Sequence, residues 1–445
     1  EAVLQRHDPA PASRQDKARR AVMDELGRAG GAYRAAYYEK GLSLERRPIT
    51  RERLATFLRR SLDWMDEGLR ANRREDGLYH AYNSLVISRA ETGITYLKEM
   101  LEGQVSILSS GVLTGEEATQ LLAALRQSAL YRADQQSYML YPNLPPPGFL
   151  HKNTIPPERL AGAPLLGQLL ARGDRRLVSR DQTGAVHFQG DLRNRTDVLT
   201  ALRQIADAGQ PVHEQARDQV VNLFEEVFDH ARYTGRSGTF FAYEGLGSVY
   251  WHMVTKLMLA VQEIYFDALD KGADGRLLQA LADHYYGIRA GLGFNKTPAR
   301  YGAFPTDPYS HTPWGKGAQQ PGMTGQVKEE ILTRMGELGI RIRAGNLHFE
   351  PRLLREDEWL AAPSTFSTVD ANGTRRTWPL AAGMLAFTFC QVPVLYDRSG
   401  PPRIDIHFAD GTQESRAGRS CGPELTRAIL CRDGRVVSLH VYPGP

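Results

Sequence analysis

The segment 301–326 carries a dense set of side chains that could bind a polar ligand. Its sequence, YGAFPTDPYSHTPWGKGAQQPGMTGQ, joins aromatic rings and amides to one carboxylate, Asp307, and one imidazole. Its glycines and prolines exclude a helix or a central strand, and a long irregular loop in a compact domain is usually functional. Rings that stack beside hydrogen-bonding groups can hold sugars, so we predict a sugar-binding loop; a rigid proline-fixed crossover is the alternative. Besides Asp307, the candidate side chains are Tyr309, His311, Trp314, Gln319 and Gln320.

A second group of polar and aromatic residues lies at 74–83, with the sequence REDGLYHAYN. Asp76, Tyr79, His80 and Asn83 are close enough in sequence to line one substrate-binding surface. The alternative is that the Asp-Gly pair forms a turn and that the tyrosines belong to the core.

Isolated carboxylates are the candidates for acid–base chemistry. Glu102 has apolar neighbours, which would raise its pKa and suit a general acid, although pairing with an arginine is equally compatible. Glu244 lies in the glycine-rich segment 235–247, GRSGTFFAYEGLG, before a predicted helix. Such a segment can present N–H groups to an anion, with Arg236 and Tyr243 as binding residues, or it can serve tight helix packing.

Other chemistries lack their sequence patterns. Asp307, Ser310 and His311 are not preceded by a GxSxG elbow, which argues against a nucleophilic serine. The histidines lack HExxH-type spacing and the three cysteines lie far apart, so we expect no metal site and a reducing, cytoplasmic compartment.

Composition limits the partners. The chain has 445 residues and a net charge of +4, and its arginines are scattered among acids, so we expect no nucleic acid partner. No apolar run approaches the ~20 residues of a membrane span, so we expect no membrane partner. The chain begins without a methionine or a signal peptide, and we expect a further domain upstream of Glu1.

The hydrophobic period changes near residue 340. Before it, helical spacing dominates, with Thr50 as a predicted N-cap and a capping-box pattern at Thr114–Glu117. The apolar stripe that follows Thr50 consists of Leu54, Phe57, Leu58, Leu62 and Met65. Further helices are predicted at 213–230, 246–270 and 274–289, and a hairpin is predicted around 181–184. Beyond residue 340, apolar residues alternate with a period of two and Asp-Gly turns separate them.

These patterns predict a mainly α protein with a C-terminal β region, that is, a helical toroid followed by a β-sandwich-like domain. The expected parts are a helical linker (1–48), a helical barrel that carries the catalytic site (49–340) and a β domain (341–445).

Two sequence blocks resemble a known clan. FFAYEGLGSVYWHM (240–253) and TDPYSHTPWGKGAQQPGMTGQVKEE (306–330) are similar to stretches of proteins associated with the cellobiose phosphorylase-like carbohydrate-active enzymes. The resemblance implies an (α/α)6 barrel, an upstream β-sandwich, inverting chemistry and no cofactor, with inorganic phosphate as a co-substrate of the phosphorylases.

We therefore expect an enzyme that cleaves glycosidic bonds of oligo- or polysaccharides with inversion, by phosphorolysis or hydrolysis. Glu244 or Asp307 is the expected general acid, and Glu102 is the third candidate. A polysaccharide lyase that uses Tyr309, His311 and Arg236 is one alternative, and a non-catalytic glycan-binding protein is another. A homodimer is compatible with the same features.

Overall fold

A computed structural model gives the fold. It describes residues 1–41, 46, 48–143, 147–230, 247–305, 307–321, 324–370 and 373–444. Contacts within the chain define two compact units. The first comprises residues 1–140 and 248–445, and the second comprises residues 141–247. The second unit therefore lies within the helical domain that the sequence predicted for residues 49–340.

The N-terminal region of the first unit is mainly helical. Thr50 begins a 20-residue helix as predicted, because the hydroxyl accepts a hydrogen bond from the Arg53 N–H at 3.2 Å. The helices and the short hairpin are Ala2–Arg6 (α1), Pro9–Arg14 (α2), Asp16–Lys40 (α3), Arg51–Arg70 (α4), Ser84–Ile87 (β1) and Thr92–Thr95 (β2).

Helix α4 has an unexpected orientation. The sequence predicts the helix and its apolar stripe, but the structure leaves Leu54, Leu58 and Leu62 exposed to solvent. The helix packs on α1 and α2, where Arg60 donates to the Leu4 carbonyl at 2.6 Å, and its half-buried side chains include Phe57 and Trp64 as well as Arg60. Periodicity identifies which face of a helix is apolar, but it does not say whether that face is covered.

A helical pair follows and begins the main core. The capping box at Thr114 is confirmed, since the Thr114 hydroxyl accepts from the Glu117 N–H and the Glu117 carboxylate accepts from the Thr114 N–H. The elements are Leu101–Ser109 (α5), Gly115–Gln127 (α6), Tyr131–Arg132 (β3) and Ser137–Tyr138 (β4).

The second unit has a core of its own. The predicted hairpin is confirmed, and Asp181 closes its turn by accepting hydrogen bonds from the N–H groups of Thr183 and Ala185 at 2.9 Å. Phe188 of the hairpin packs edge-on against Phe224, which belongs to the helix predicted at 213–230. The elements are Phe149–Lys152 (α7), Pro157–Ala161 (α8), Pro164–Ala171 (α9), Val178–Arg180 (β5), Val186–Phe188 (β6), Arg195–Asp207 (α10) and Glu214–Phe228 (α11).

The first unit resumes with its most buried helix. This helix, α12, packs against α5 and against the two later helices α13 and α15. The elements are Val249–Tyr250 (β7), Trp251–Asp270 (α12), Gly275–Ala290 (α13), Pro298–Tyr301 (α14), Tyr309–Thr312 (β8), Gln320–Pro321 (β9) and Thr324–Glu337 (α15).

The segment 301–326 is more regular than its composition predicts. β8 is the middle strand of the small sheet β7-β8-β9, and α15 begins before the segment ends, so the exclusion of a central strand and of a helix is wrong. The physical reason is that residues 309–312 contain neither glycine nor proline, and Pro308 and Pro313 lie just outside the strand.

The C-terminal region is rich in β-structure, as predicted. Its strands and helix are Ile340–Arg343 (β10), Asn346–Phe349 (β11), Ser364–Val369 (β12), Arg375–Leu380 (β13), Met384–Phe389 (β14), Val392–Asp397 (β15), Arg403–Phe408 (β16), Gln413–Ala417 (β17), Pro423–Cys431 (α16) and Val436–Tyr442 (β18). Among the described residues, a five-stranded sheet has the order β14-β15-β18-β16-β17. β15 runs parallel to β18, and the other neighbours are antiparallel.

This arrangement differs from the expected two-sheet sandwich. One face of the sheet is covered by α16, through Leu425 and Ile429. The other face is covered by the hairpin β12–β13, whose Trp378 belongs to the same apolar cluster as Leu395 of β15. The short helix was not predicted, because an apolar run of this length fits a strand or a helix equally well. The helical toroid stays a prediction.

Candidate functional site

Hydrogen bonds between distant segments bring the starts of three helices together. A continuous ladder of backbone bonds runs from the start of α5 through the start of α12 to β9, which immediately precedes α15. Its links are Leu101–Leu140, Leu140–Ser248, Val249–Thr312 and His311–Gln320. Because α12 also packs against α5 and α15, the N-terminal ends of these helices lie along one edge of the first unit. This edge is the candidate site.

Imidazole and phenol rings are stacked on the ladder. The ring of His311 stacks on Tyr250 at 4.8 Å with an interplanar angle of 18°, and His252 lies 5.2 Å from the same tyrosine. Burial lowers the pKa of His311, so its imidazole is mainly neutral at pH 7. Nε2 of His252 is buried and has no hydrogen-bond partner within the described ranges. A ligand could therefore bond to this nitrogen.

Acidic groups surround a buried tyrosine beside these rings. The Tyr301 hydroxyl is buried without a hydrogen-bond partner in the described part of the chain. Burial raises the pKa of Tyr301, and the charges of Glu330, Tyr309 and Asp307 raise it further. The predicted residues Asp307 and Tyr309 thus share one electrostatic neighbourhood with Glu330.

Glu330 is the site residue that the sequence reasoning missed. Burial raises the pKa of its carboxyl group, which accepts a hydrogen bond from Gln326 Nε2 at 3.1 Å. It also lines a cavity of about 240 Å³ with Phe294 and Arg289. A buried carboxyl group with a raised pKa can hold a proton at neutral pH. In the sequence Glu330 reads as an ordinary charged helix residue, so only tertiary packing reveals it.

Arg132 and Trp251 hold β8 in place from inside the unit. Arg132 Nη1 donates to the Thr312 carbonyl at 2.7 Å, and Trp251 Nε1 donates to the Thr312 hydroxyl at 2.8 Å. The guanidinium of Arg132 also lies 5.0 Å from the ring centre of Trp314, whose side chain is 60% exposed. The indole of Trp314 is therefore positioned by a cation and presented to solvent, as a sugar-stacking ring would be.

A buried lysine supports the same segment. Lys296 is 9% exposed, and its Nζ donates to Gln135 Oε1 at 2.9 Å. The ammonium lies 4.7 Å from the ring centre of Trp251 and 5.8 Å from that of Tyr301. No carboxylate within the described ranges pairs with it. Burial is the main cause that lowers the pKa of Lys296 to about 7, and two nearby arginines add to the effect.

Two glycines allow the segment to cross itself. A Cβ built on Gly302 would lie 2.4 Å from Cα of Gly317, and one built on Gly317 would lie 2.8 Å from Cα of Gly302. Both residues have positive φ, at 79° and 67°. Only glycine satisfies the backbone angle and the close approach together.

The motif at 74–83 is divided among structural roles. Asp76 bonds to Arg74 and to the Leu78 N–H, and despite partial burial these contacts lower its pKa. Tyr79 is buried in the core, which favours the alternative interpretation that it is a core residue. His80 stacks on Tyr96 at 4.0 Å.

Two other candidates lie nearer to open space. Asn83 lines a cavity of about 260 Å³ with Trp64 and Tyr96. Glu102, at the first turn of α5, accepts a hydrogen bond from the Tyr82 hydroxyl at 2.9 Å, so it lies on the ladder edge.

The remaining candidates belong to the segment around β9 or fall outside the description. Gln319 Nε2 donates to the Lys316 carbonyl at 2.7 Å, which assigns it to a turn. Gln320 pairs with His311 across the ladder. Arg236, Tyr243 and Glu244 lie outside the described residues.

A family model matches part of the chain. Residues 146–231 match the model of GH149 phosphorylase insertion domain 2, and the match falls within the second compact unit. No curated protein matches the chain. The match supports a glycoside phosphorylase as the class of enzyme.

The described ranges contain neither a membrane-spanning helix nor a cluster of metal ligands. No helix there is both long and apolar enough to cross a membrane. The same ranges contain no group of three or more His, Cys, Asp or Glu side chains placed to hold a metal ion.

The depressed pKa of Lys296 predicts a pH-dependent stability. Between pH ~7 and its usual ~10.5, the unfolded chain binds a proton that the folded lysine lacks, so the free energy of unfolding rises with pH in this window. We expect Lys296→Met to lose this rise. Urea unfolding at pH 7 and pH 10 measures it, with the exposed Lys316→Met as control. Parallel pH curves for wild type and Lys296→Met would contradict the assignment.

The crossing of Gly302 and Gly317 predicts a second effect. Gly317→Ala should lower the free energy of unfolding by about 1–3 kcal/mol, because it adds a close contact to backbone strain. Gly315 is the matched control: its φ is 66°, but a Cβ there meets nothing within 4 Å. Gly315→Ala should therefore cost less. Equal losses in urea unfolding would show that only the backbone angle matters.

Proposed function

We propose that this protein cleaves glycosidic bonds of oligo- or polysaccharides by phosphorolysis, with inversion at the anomeric carbon. The match of residues 146–231 to a phosphorylase insertion domain carries the proposal. It favours phosphate over water as the acceptor, a choice that the residues of the site leave open.

The electrostatics of the ladder edge are suited to a phosphate. The N-terminal end of a helix carries a partial positive charge and N–H groups that attract anions. Among the described residues, no side chain of the N-cap residues, Met100 for α5 and Tyr250 for α12, forms a capping hydrogen bond. Two helix starts on one edge can therefore attract inorganic phosphate, and the imidazoles of His252 and His311 beside them can supply N–H groups. Tyr309 and the exposed ring of Trp314 supply apolar faces for a sugar.

The proposed reaction needs one proton donor. The acid protonates the glycosidic oxygen as the bond to the anomeric carbon breaks, while a phosphate oxygen attacks that carbon from the opposite face. The products are a glycosyl phosphate of inverted configuration and a shortened sugar chain. Asp307, Glu102 and Glu244 remain the proposed candidates for the acid, and Glu330 joins them because burial raises its pKa.

Phosphate dependence tests the proposal directly. We expect β-glucan oligosaccharides to yield a sugar 1-phosphate only when inorganic phosphate is present, and NMR should show the anomer opposite to the bond cleaved. Equal release of reducing ends without phosphate would identify a hydrolase, and an unsaturated product would identify a lyase. Either result would overturn phosphorolysis.

Amide variants identify the acid. Glu330→Gln, Asp307→Asn, Glu244→Gln and Glu102→Gln each remove one proton donor and preserve its shape. The variant of the true acid should lose about 10²-fold or more in turnover on unactivated substrates, and less on substrates with a good leaving group. The exposed Glu116→Gln on α6 is the control. An equal loss on both kinds of substrate would assign that residue to binding or structure.

A further inference from the structure

The cavity of about 260 Å³ near Asn83 lies between the N-terminal helices and the strand β2. Its apolar wall includes Val22 and Met23 of α3 and Ile94 of β2, and Trp64 and Tyr96 add two aromatic rings. The residues that line it differ from those of the backbone ladder. The cavity is therefore a second candidate site, made of different residues from the edge proposed for catalysis.

Two residues of the lining have a polar atom that is buried without a hydrogen-bond partner in the described part of the chain. These atoms are Nε1 of Trp64 and Oδ1 of Asn83. The amide of Asn83 is held in its orientation, because its Nδ2 donates to Asn72 Oδ1 at 2.5 Å and Asn72 Nδ2 donates to the Gly68 carbonyl at 2.8 Å. A turned amide would set two oxygens against each other. The lining thus leaves one donor, the indole N–H, and one acceptor, the amide oxygen.

The charged residue of the lining is already engaged. Arg19 donates through Nη1 to the Asp16 carboxylate at 2.8 Å and to the Thr92 carbonyl. Its Nη2 donates to the Ser13 carbonyl at 2.8 Å. An anionic ligand would have to displace these bonds, whereas a neutral ligand leaves them intact. The cavity is therefore suited to a neutral molecule.

The balance of apolar and polar groups distinguishes an aromatic ligand from a sugar. A sugar ring carries hydroxyl groups on most of its carbon atoms, and burying them beside only two unpaired protein atoms would leave several without partners. A flat aromatic molecule with a single hydroxyl group can accept from Trp64 Nε1 and donate to Asn83 Oδ1. An apolar cavity of about 150 Å³ holds benzene, so the larger volume here has room for two fused rings.

Tyr96 connects the cavity to solvent. Its ring stacks on His80 at 4.0 Å, which holds it in place, and its side chain is 50% exposed. Because Tyr96 also lines the cavity, it forms part of the rim through which a ligand enters. An aromatic ligand can pack against this ring and against the indole of Trp64.

We propose that this cavity binds a small, neutral aromatic molecule that carries one hydroxyl group, of the phenol or naphthol class. The hydroxyl group completes the hydrogen bonding of Trp64 and Asn83, and the rings fill the apolar space between α3, α4 and β2. Asn83, predicted from the sequence as a substrate-binding residue, thus binds a different ligand. The inference is independent of the proposed activity, because the cavity contains none of the candidate acids.

Equilibrium dialysis of the full chain against β-naphthol measures the binding. β-Methylnaphthalene is the matched ligand, because a methyl group replaces the hydroxyl group, and it should bind about tenfold more weakly. Trp64→Phe removes the N–H group and keeps an aromatic ring, so the tenfold ratio should fall to about threefold. A change in cavity size affects both ligands, so the ratio isolates the lost hydrogen bond.

A matched pair of glycine variants locates the ligand. Gly68 of α4 lines the cavity and Gly27 of α3 lies outside its lining, and a Cβ built on either residue meets nothing within 4 Å. Gly68→Leu should therefore fill the cavity and abolish binding, whereas Gly27→Leu should leave binding unchanged. Circular dichroism verifies that each variant is folded.

Four results would overturn the proposal. They are no binding of β-naphthol to the wild type, equal affinity for β-naphthol and its methyl analogue, equal binding by the two glycine variants, and a ratio that Trp64→Phe leaves at tenfold. Glucose is the further probe: tighter binding of glucose than of β-naphthol would identify a sugar site and would overturn the proposal as well.

Discussion

One buried threonine ties the candidate site together. Thr312 is fully buried, pairs with Val249 through the backbone, accepts a hydrogen bond from Arg132 through its carbonyl and accepts another from Trp251 through its hydroxyl. A buried polar group without such partners would cost stability, so these bonds fix three distant segments in one position. The stacked pair Tyr250 and His311 flanks this point, and its geometry depends on it.

The polar groups around Thr312 differ in how completely they are hydrogen-bonded. Thr312 and Arg132 have all the partners that a structural role requires, whereas His252 Nε2 and the Tyr301 hydroxyl are buried without partners in the described ranges. Folded proteins seldom leave such groups unpaired, so each of these two atoms marks a place where a ligand would complete the bonding. Lys296 adds a buried cation that is contacted by aromatic faces and by an amide. These contacts compensate the loss of hydration of the ammonium less well than a carboxylate would.

Local signals in the sequence predicted local structure. The cap at Thr50, the capping box at Thr114 and the turn at Asp181 each depend on residues within four positions of one another, and each is confirmed. The ladder could not be read in this way, because its links join residues as distant in sequence as Leu140 and Ser248. Burial is equally non-local, which is why the pKa of Glu330 and the exposure of the α4 stripe emerge only from packing.

The second unit can be inserted without disturbing the ladder. The chain leaves the first unit at Leu140 and returns at Ser248, and these residues are joined by a backbone hydrogen bond of 3.0 Å. The chain leaves and re-enters the first unit at two residues that are hydrogen-bonded neighbours. The starts of α5 and α12 therefore do not require residues of the insertion to hold them in place. The separate core around Phe188 and Phe224 shows how the insertion stabilises itself. A recognisable insertion domain can therefore identify a class of enzyme while the first unit supplies the residues proposed for catalysis, with the exception of Glu244.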